Sequence, residues 1–289
     1  MDKLIPLIKK YYNKIVFVPW WHCDERRGAP NCVVCARGDF YARRLNNRKI
    51  NYKCEQKRFL YIVRYMPLRI LQILEMLRQM DEPMQQFLQN QARINVISLG
   101  AGPGFDIAAI QKYLVEQNIN NVQKNVTCWR VDKEQLWDQI AVDVINIYES
   151  DSVHFEHNCW TFDFSNPIPP FSGSVQSDDF NIIIASYFLS ELDENSLANV
   201  FSLIKENTLG PSLIMINDIN DSNGDVKNIL INLRDFLGSD YKWKYDDNGI
   251  VGKNEVRRDY PYPRDFGKAE PYFTCWKSKT IRVLITKIT

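Results

Sequence analysis

From Arg93 to the end of the chain, short apolar runs alternate with stretches in which apolar residues recur every three or four positions. That rhythm predicts strands alternating with helices, packed as a mostly parallel sheet. The predicted strands are Asn95–Leu99, Val126–Val131, Val153–Phe155 or the neighbouring Cys159–Phe162, Phe180–Ala185, Ser212–Asn217, Tyr241–Tyr245 and Arg282–Ile288. Helices are expected over Asp106–Glu116, Glu134–Val144, Glu194–Lys205 and Val226–Leu237. Phe180–Ala185 is almost purely apolar, as in a strand buried on both faces.

Before Arg93 the pattern differs. Ile15–Val18 reads as a short strand, and residues 20–58 show little periodicity. From Phe59 to Leu88 the spacing is helical, with Leu68, Leu71, Leu74 and Leu77 on one stripe. Pro67 is expected to start or kink a helix, and Pro83 to begin another. The expected organisation is an N-terminal extension over 1–90 and an α/β domain over 91–289.

The first predicted strand runs into Gly100-Ala101-Gly102-Pro103-Gly104-Phe105-Asp106. Gly100, Gly102 and Gly104 can adopt backbone angles and approach distances that a Cβ forbids. The stretch resembles the first motif of class I S-adenosylmethionine-dependent methyltransferases, a hydrophobic strand leading into GxGxG. Ser98 stands where many members of that family carry an acid. The resemblance covers about residues 93–289 and implies a seven-stranded, Rossmann-like sheet with the last strand antiparallel. It also implies S-adenosylmethionine held by Gly100, Ala101, Gly102 and Gly104. A nicotinamide-dependent oxidoreductase fits less well, because no third glycine completes G-x-G-x-x-G.

Asp132 ends the second predicted strand, where a carboxylate can accept both hydroxyls of a ribose. Asp106 reads either as a helix cap or as a ligand contact. Asp163 is similar to the family's acid near the adenine amine, with Phe162 or Phe164 against the ring; an ordinary strand end with core aromatics is the alternative. After strand four, Ser186-Tyr187-Phe188-Leu189-Ser190-Glu191-Leu192 occupies the family's substrate-facing position. Its Ser-Glu-Leu is similar to a form in mitochondrial-type small-subunit ribosomal RNA methyltransferase relatives. By that resemblance Ser186 lines the cofactor pocket, and Tyr187 and Glu191 approach the methyl acceptor. Glu191 is the candidate general base or amine-orienting carboxylate. Asn217-Asp218 closes strand five and can hydrogen-bond to the acceptor, or Asp218 caps the next turn. His154 and His157 read as solvated loop residues.

Composition adds a partner class. Residues 1–70 hold 16 of the 36 Lys and Arg but 5 of the 35 Asp and Glu, so 20 basic and 30 acidic residues remain for 71–289. The basic end attracts an anionic partner, RNA being the candidate, or docks on the acidic remainder of its own chain. Trp20, Trp21, Phe40, Tyr41 and Tyr52 among those basic residues can stack on unpaired bases. Arg257–Arg264, between the last two strands, suggests another wall of the acceptor pocket. A lid over a small molecule, or a protein substrate, would use many of the same residues. A non-catalytic cofactor sensor is a further alternative.

There are seven cysteines. Cys32-x-x-Cys35, with Cys54 and either His22 or Cys23, has the make-up of a tetrahedral zinc site; core thiols are the alternative. No run of about 18 apolar residues occurs, which argues against a helical membrane span. No apolar leader follows Lys9 and Lys10, so cytoplasm or nucleus is expected. Oligomeric state is not legible.

Overall fold

Hydrogen-bonded pairing in the computed structural model joins seven strands into one sheet. The structure describes residues 3–15, 35, 52–117, 123–167, 180–208, 210–219, 225–249 and 280–287. It divides into two compact units, Met1–Arg69 with Gly252–Trp276, and Ile70–Val251 with Lys277–Thr289.

In the first unit, α1 (Leu4–Tyr12) buries Leu4, Leu7, Ile8 and Tyr11. Tyr11 packs on Phe59 with centroids 5.5 Å apart, and the Lys14 ammonium lies over both rings. Phe59 belongs to α2 (Glu55–Arg78), whose residues from Ile70 onward belong to the second unit. Pro67 lies inside α2 rather than at its start. The loss of one helical hydrogen bond is outweighed there by burial of its neighbours Met66 and Leu68. Of the strand expected at Ile15–Val18, Ile15 is non-repetitive and the rest lies outside the described residues.

The second unit carries α3 (Glu82–Asn90), β1 (Arg93–Leu99), α4 (Phe105–Gln117), β2 (Lys124–Asp132), α5 (Asp138–Ile145) and β3 (Val153–Thr161). These are followed by β4 (Ile182–Ser186), α6 (Glu194–Glu206), β5 (Ser212–Ile219), α7 (Asp225–Leu237), β6 (Lys242–Gly249) and β7 (Thr280–Lys287). The sheet order is β3-β2-β1-β4-β5-β7-β6. β1 to β5 are mutually parallel, and β7 inserts antiparallel between β5 and β6. The expected seven-stranded α/β sheet with an antiparallel last strand is therefore present.

Strand content explains this order. Ile182, Ile183, Ile184 and Ala185 are buried at the centre of the sheet, as are Leu213–Ile216 beside them. Such strands need helices on both faces. The third strand is one continuous element, and both sequence candidates fall on it. Its nine residues pair with all of β2, from Lys124↔Val153 to Asp132↔Thr161. The helix expected from Glu134 begins as a 3₁₀ turn, Gln135–Trp137, because the Glu134 carboxylate accepts the Leu136 N–H and holds that tighter entry.

α3 starts as its sequence predicts, with Asp81 accepting the Met84 N–H and Pro83 in the first turn. Its C-terminus is closed by Lys124, whose ammonium donates to the carbonyls of Leu88, Gln89 and Gln91 at 3.0, 2.7 and 2.9 Å. Burial pushes the Lys124 pKa down.

Candidate functional site

The glycine run forms a loop between β1 and α4. Gly100, Gly102 and Gly104 have φ values of 62°, 49° and 81°, a region that disfavours side chains. A Cβ on Gly100 would stand 2.2 Å from Cδ2 of Phe188, so the ring of the β4 loop seals that glycine. At Gly102 the nearest atom would be Trp137 Nε1 at 3.9 Å, which leaves open space above the loop.

Three bonds tie the loop to β2. Ala101 N donates to Val131 O at 3.0 Å, Gly102 N to Asp132 Oδ2 at 2.8 Å, and Arg130 Nη1 to Gly102 O at 2.8 Å. Arg130 is buried and also pairs with Asp138 and with the Cys159 sulfur. A guanidinium held by a carboxylate therefore fixes the carbonyl between the second and third glycines.

Ser98 and Asp106 meet under this loop. The Ser98 hydroxyl donates to Asp106 Oδ2 at 3.0 Å, and both residues are buried. The acid absent from the strand end is supplied from the first turn of α4, where the helix dipole favours it.

Asp132 stands at the carboxyl end of β2. Its Oδ1 accepts Glu134 N at 2.8 Å and its Oδ2 accepts Gly102 N. Burial pushes its pKa up, against the pull of those two N–H groups and of Arg130 and Lys133. Phe162 N donates to Asp132 O at 3.1 Å, which draws the end of β3 beside it. From there an aromatic series runs Trp160, Phe162, Phe164, Phe188, with successive centroids 4.6, 5.2 and 5.2 Å apart. Phe164 is buried, whereas Asp163 is exposed and accepts the Ser165 N–H.

At the end of β4, Ser186 is paired with Asn217 of β5. Tyr187 has φ 56° and is buried, its hydroxyl donating to Gln72 Oε1 at 3.2 Å. Asp218 is fully buried and accepts Ser190 Oγ at 2.7 Å, Ser190 N at 3.0 Å and Ile219 N at 2.7 Å. Its carboxylate thus anchors the 3₁₀ turn Leu189–Glu191, at the end of which Glu191 is exposed. The structure brings Gly100, Gly102, Asp132, Phe164, Ser186, Tyr187 and Asp218 to the carboxyl ends of β1 to β5, where open α/β sheets bind ligands.

Gln72 was not predicted as a site residue. Its signal was a polar residue inside the apolar stripe of α2. His157, expected to be solvated, is half-buried, with Nε2 accepting from Gln111 Nε2 at 3.0 Å, and burial and neighbouring His154 lower its pKa to about 4. Of the expected zinc ligands, Cys35 is buried and Cys54 half-buried, while His22, Cys23 and Cys32 lie outside the described residues. Among the described residues no group of three or more His, Cys, Asp or Glu is placed to hold a metal ion. Trp20, Trp21, Phe40, Tyr41 and Arg257–Arg264 also lie outside them. No helix among the described residues is long and apolar enough to cross a membrane.

The sheet order and the antiparallel β7 decide the fold. It is the class I methyltransferase fold. Neither a protein-family model nor a curated protein sequence matches the chain. Among solved structures the chain is similar to the plantazolicin methyltransferase BpumL in complex with SAH, with 12% identity, 99% of each chain covered and a TM-score of 0.43. It is similar to a TehB-like SAM-dependent methyltransferase from Corynebacterium glutamicum at 10% identity, covering 77% of this chain and 100% of that one, with a TM-score of 0.39. It is also similar to an rRNA methylase from Streptococcus thermophilus at 9% identity, covering 73% and 99%, with a TM-score of 0.41.

Proposed function

We propose that the chain is an S-adenosylmethionine-dependent methyltransferase whose acceptor is RNA. The observation that carries the methyl-donor part is the left-handed glycine loop at the end of β1 joined to the Asp132 carboxylate at the end of β2. The residues suit that cofactor. The space above Gly102 would be filled by a Cβ, and each Asp132 oxygen accepts one backbone N–H and keeps a second lone pair for a hydroxyl. When bound, S-adenosylmethionine supplies an electrophilic methyl group on a sulfonium.

The chain's own residues do the rest. Gly100, Ala101, Gly102 and Gly104 hold the amino-acid end against the loop and the start of α4, Asp132 takes the ribose, and Asp163 and Phe164 take the adenine. Ser186 lines the pocket between them. Glu191 receives the proton of the acceptor nucleophile or orients an acceptor amine, and Asp218 holds the turn that carries it. Tyr187 closes the end of β4 with its hydroxyl committed to Gln72, and shields the reacting pair from water.

RNA is favoured by the concentration of 16 basic against 5 acidic residues in the first 70. Transfer of labelled methyl groups to fractionated RNA, protein and metabolites tests donor and acceptor together. Label in RNA, with filter binding that weakens steeply between low and moderate salt, is expected. Label confined to protein or metabolites would refute the RNA acceptor, and none in any fraction would refute the enzyme. Zinc bound by His22, Cys32, Cys35 and Cys54 is a separate proposal supported by the Cys-x-x-Cys spacing. Metal analysis of chelator-free protein is expected to find about one equivalent, and less than half an equivalent would refute it.

A further inference from the structure

One face of the sheet carries a polar cluster at the ends of β4 and β5 and the start of β7. Asn217 and Arg282 stand directly opposite each other across the antiparallel β5–β7 pair. Their side chains therefore leave the same face, with Cβ atoms about 5 Å apart. Asn217 is 0% and Arg282 4% exposed. Asn217 Nδ2 donates to Gln72 Oε1 and to Ser186 Oγ, both at 3.3 Å. Arg282 Nη1 donates to Glu75 Oε2 at 2.8 Å, and its Nε to Thr280 Oγ1 at 3.3 Å. Gln72 and Glu75 lie three residues apart on α2, hence on one side of that helix.

Buried polar atoms of this cluster are left over. Among them, Asn217 Oδ1, an acceptor, and Arg282 Nη2, a donor, are buried and make no hydrogen bond among the described residues. A buried polar atom without a partner costs stability, and native structures keep few of them. A second cost sits at the same place. Tyr187 is the only residue other than glycine with positive φ among the described residues, and such strain gathers at functional sites. Asparagine, glutamine and arginine are also the side chains that read base edges through paired donors and acceptors.

We propose that Asn217 Oδ1 and Arg282 Nη2 form the recognition subsite for the methyl acceptor, binding the donor–acceptor edge of a nucleobase. The assignment rests on the methyltransferase reading above. Gln72 and Glu75 are positioning residues that set the amide and the guanidinium for that edge. The test is equilibrium dialysis of the full chain against each of the four ribonucleoside 5′-monophosphates, with and without saturating S-adenosylhomocysteine. Arg282→Lys keeps a cation opposite Glu75 and deletes Nη2, and Asn217→Leu deletes the acceptor.

At least one nucleotide is expected to bind the wild type and to bind each variant tenfold or more weakly, with S-adenosylhomocysteine affinity held within threefold. No nucleotide bound, or equal binding by wild type and Arg282→Lys, overturns the proposal. So does a lowered unfolding temperature in Arg282→Lys with an unchanged nucleotide dissociation constant, the mark of a merely structural residue. Binding of acetyl-asparaginamide in place of every nucleotide would assign the pair to a peptide amide and also overturn it. If the wild type fails to bind S-adenosylhomocysteine, the methyl-donor reading falls and the nucleotide measurements still decide the subsite.

Discussion

Replacing Gly100 by alanine isolates the contact that seals the glycine loop. The new Cβ would lie 2.2, 2.6 and 2.9 Å from three atoms of the Phe188 ring, and the backbone would stay at φ 62°. Positive φ costs an L-residue roughly 1–2 kcal/mol. Overpacking a well-filled contact costs roughly 1–3 kcal/mol more. Gly100→Ala is therefore expected to lose about 2–5 kcal/mol of unfolding free energy. The two parts separate in a double-mutant cycle. Phe188→Ala removes the obstructing ring at its own packing cost, and in that background Gly100→Ala retains only the backbone part. The double variant is thus expected to be more stable than the sum of the singles by roughly 1–3 kcal/mol. Urea unfolding followed by tryptophan fluorescence gives the four free energies, provided the slopes agree. A single-variant cost below about 1 kcal/mol would show that the loop relaxes away from the ring. Strict additivity would refute the steric argument even if Gly100→Ala were severe.

Asp132→Ala is expected to weaken S-adenosylhomocysteine binding by roughly tenfold to a hundredfold, through loss of charge-assisted bonds to the ribose. Calorimetry finding unchanged affinity would remove Asp132 from the site. His157 is held well below its ordinary value, at about 4 against 6.5. Its contribution to stability is therefore complete above pH 6.5 and is lost as pH falls toward 4, on the order of 1–2 kcal/mol by pH 5. His157→Gln should flatten the fall in unfolding free energy between pH 7 and 5, and an unaltered slope would contradict the neutral, buried imidazole. Lys124→Met leaves the carbonyls of Leu88, Gln89 and Gln91 without their ammonium. It should cost roughly 2–3 kcal/mol and speed amide exchange at the end of α3, whereas unchanged exchange would show that water caps the helix equally well.

The strands were legible where burial is two-sided. β4 and β5 carry side chains buried on both faces, so their apolar runs mark them without reference to the rest of the chain. β3 was legible only in fragments, because it is an edge strand bearing His154, Glu156 and Asn158, and its continuity comes from the backbone ladder to β2. Pro67 shows the opposite limit, where a local helix breaker is overruled by the burial of its neighbours.

Within the site, each acid's position at a strand end could be read from the chain, but its occupation could not. Asp106 and Asp218 look alike in sequence to Asp132. The first is engaged by Ser98, eight residues earlier, and the second by Ser190, on another strand's loop. Asp132 accepts the Gly102 N–H of the glycine loop itself. Asn217 could be read as a strand-end candidate, but its pairing with Arg282 lay furthest from view, since Arg282 stands in no motif and 65 positions separate the two. Their meeting follows from one topological fact, the antiparallel insertion of β7 beside β5, which sets position 282 opposite 217. A slip of one residue would turn Arg282 to the opposite face of the sheet, away from Glu75. The register that buries Ile281, Val283 and Ile285 therefore also sets Arg282 opposite Asn217, and Gln72 and Glu75 then hold the two side chains.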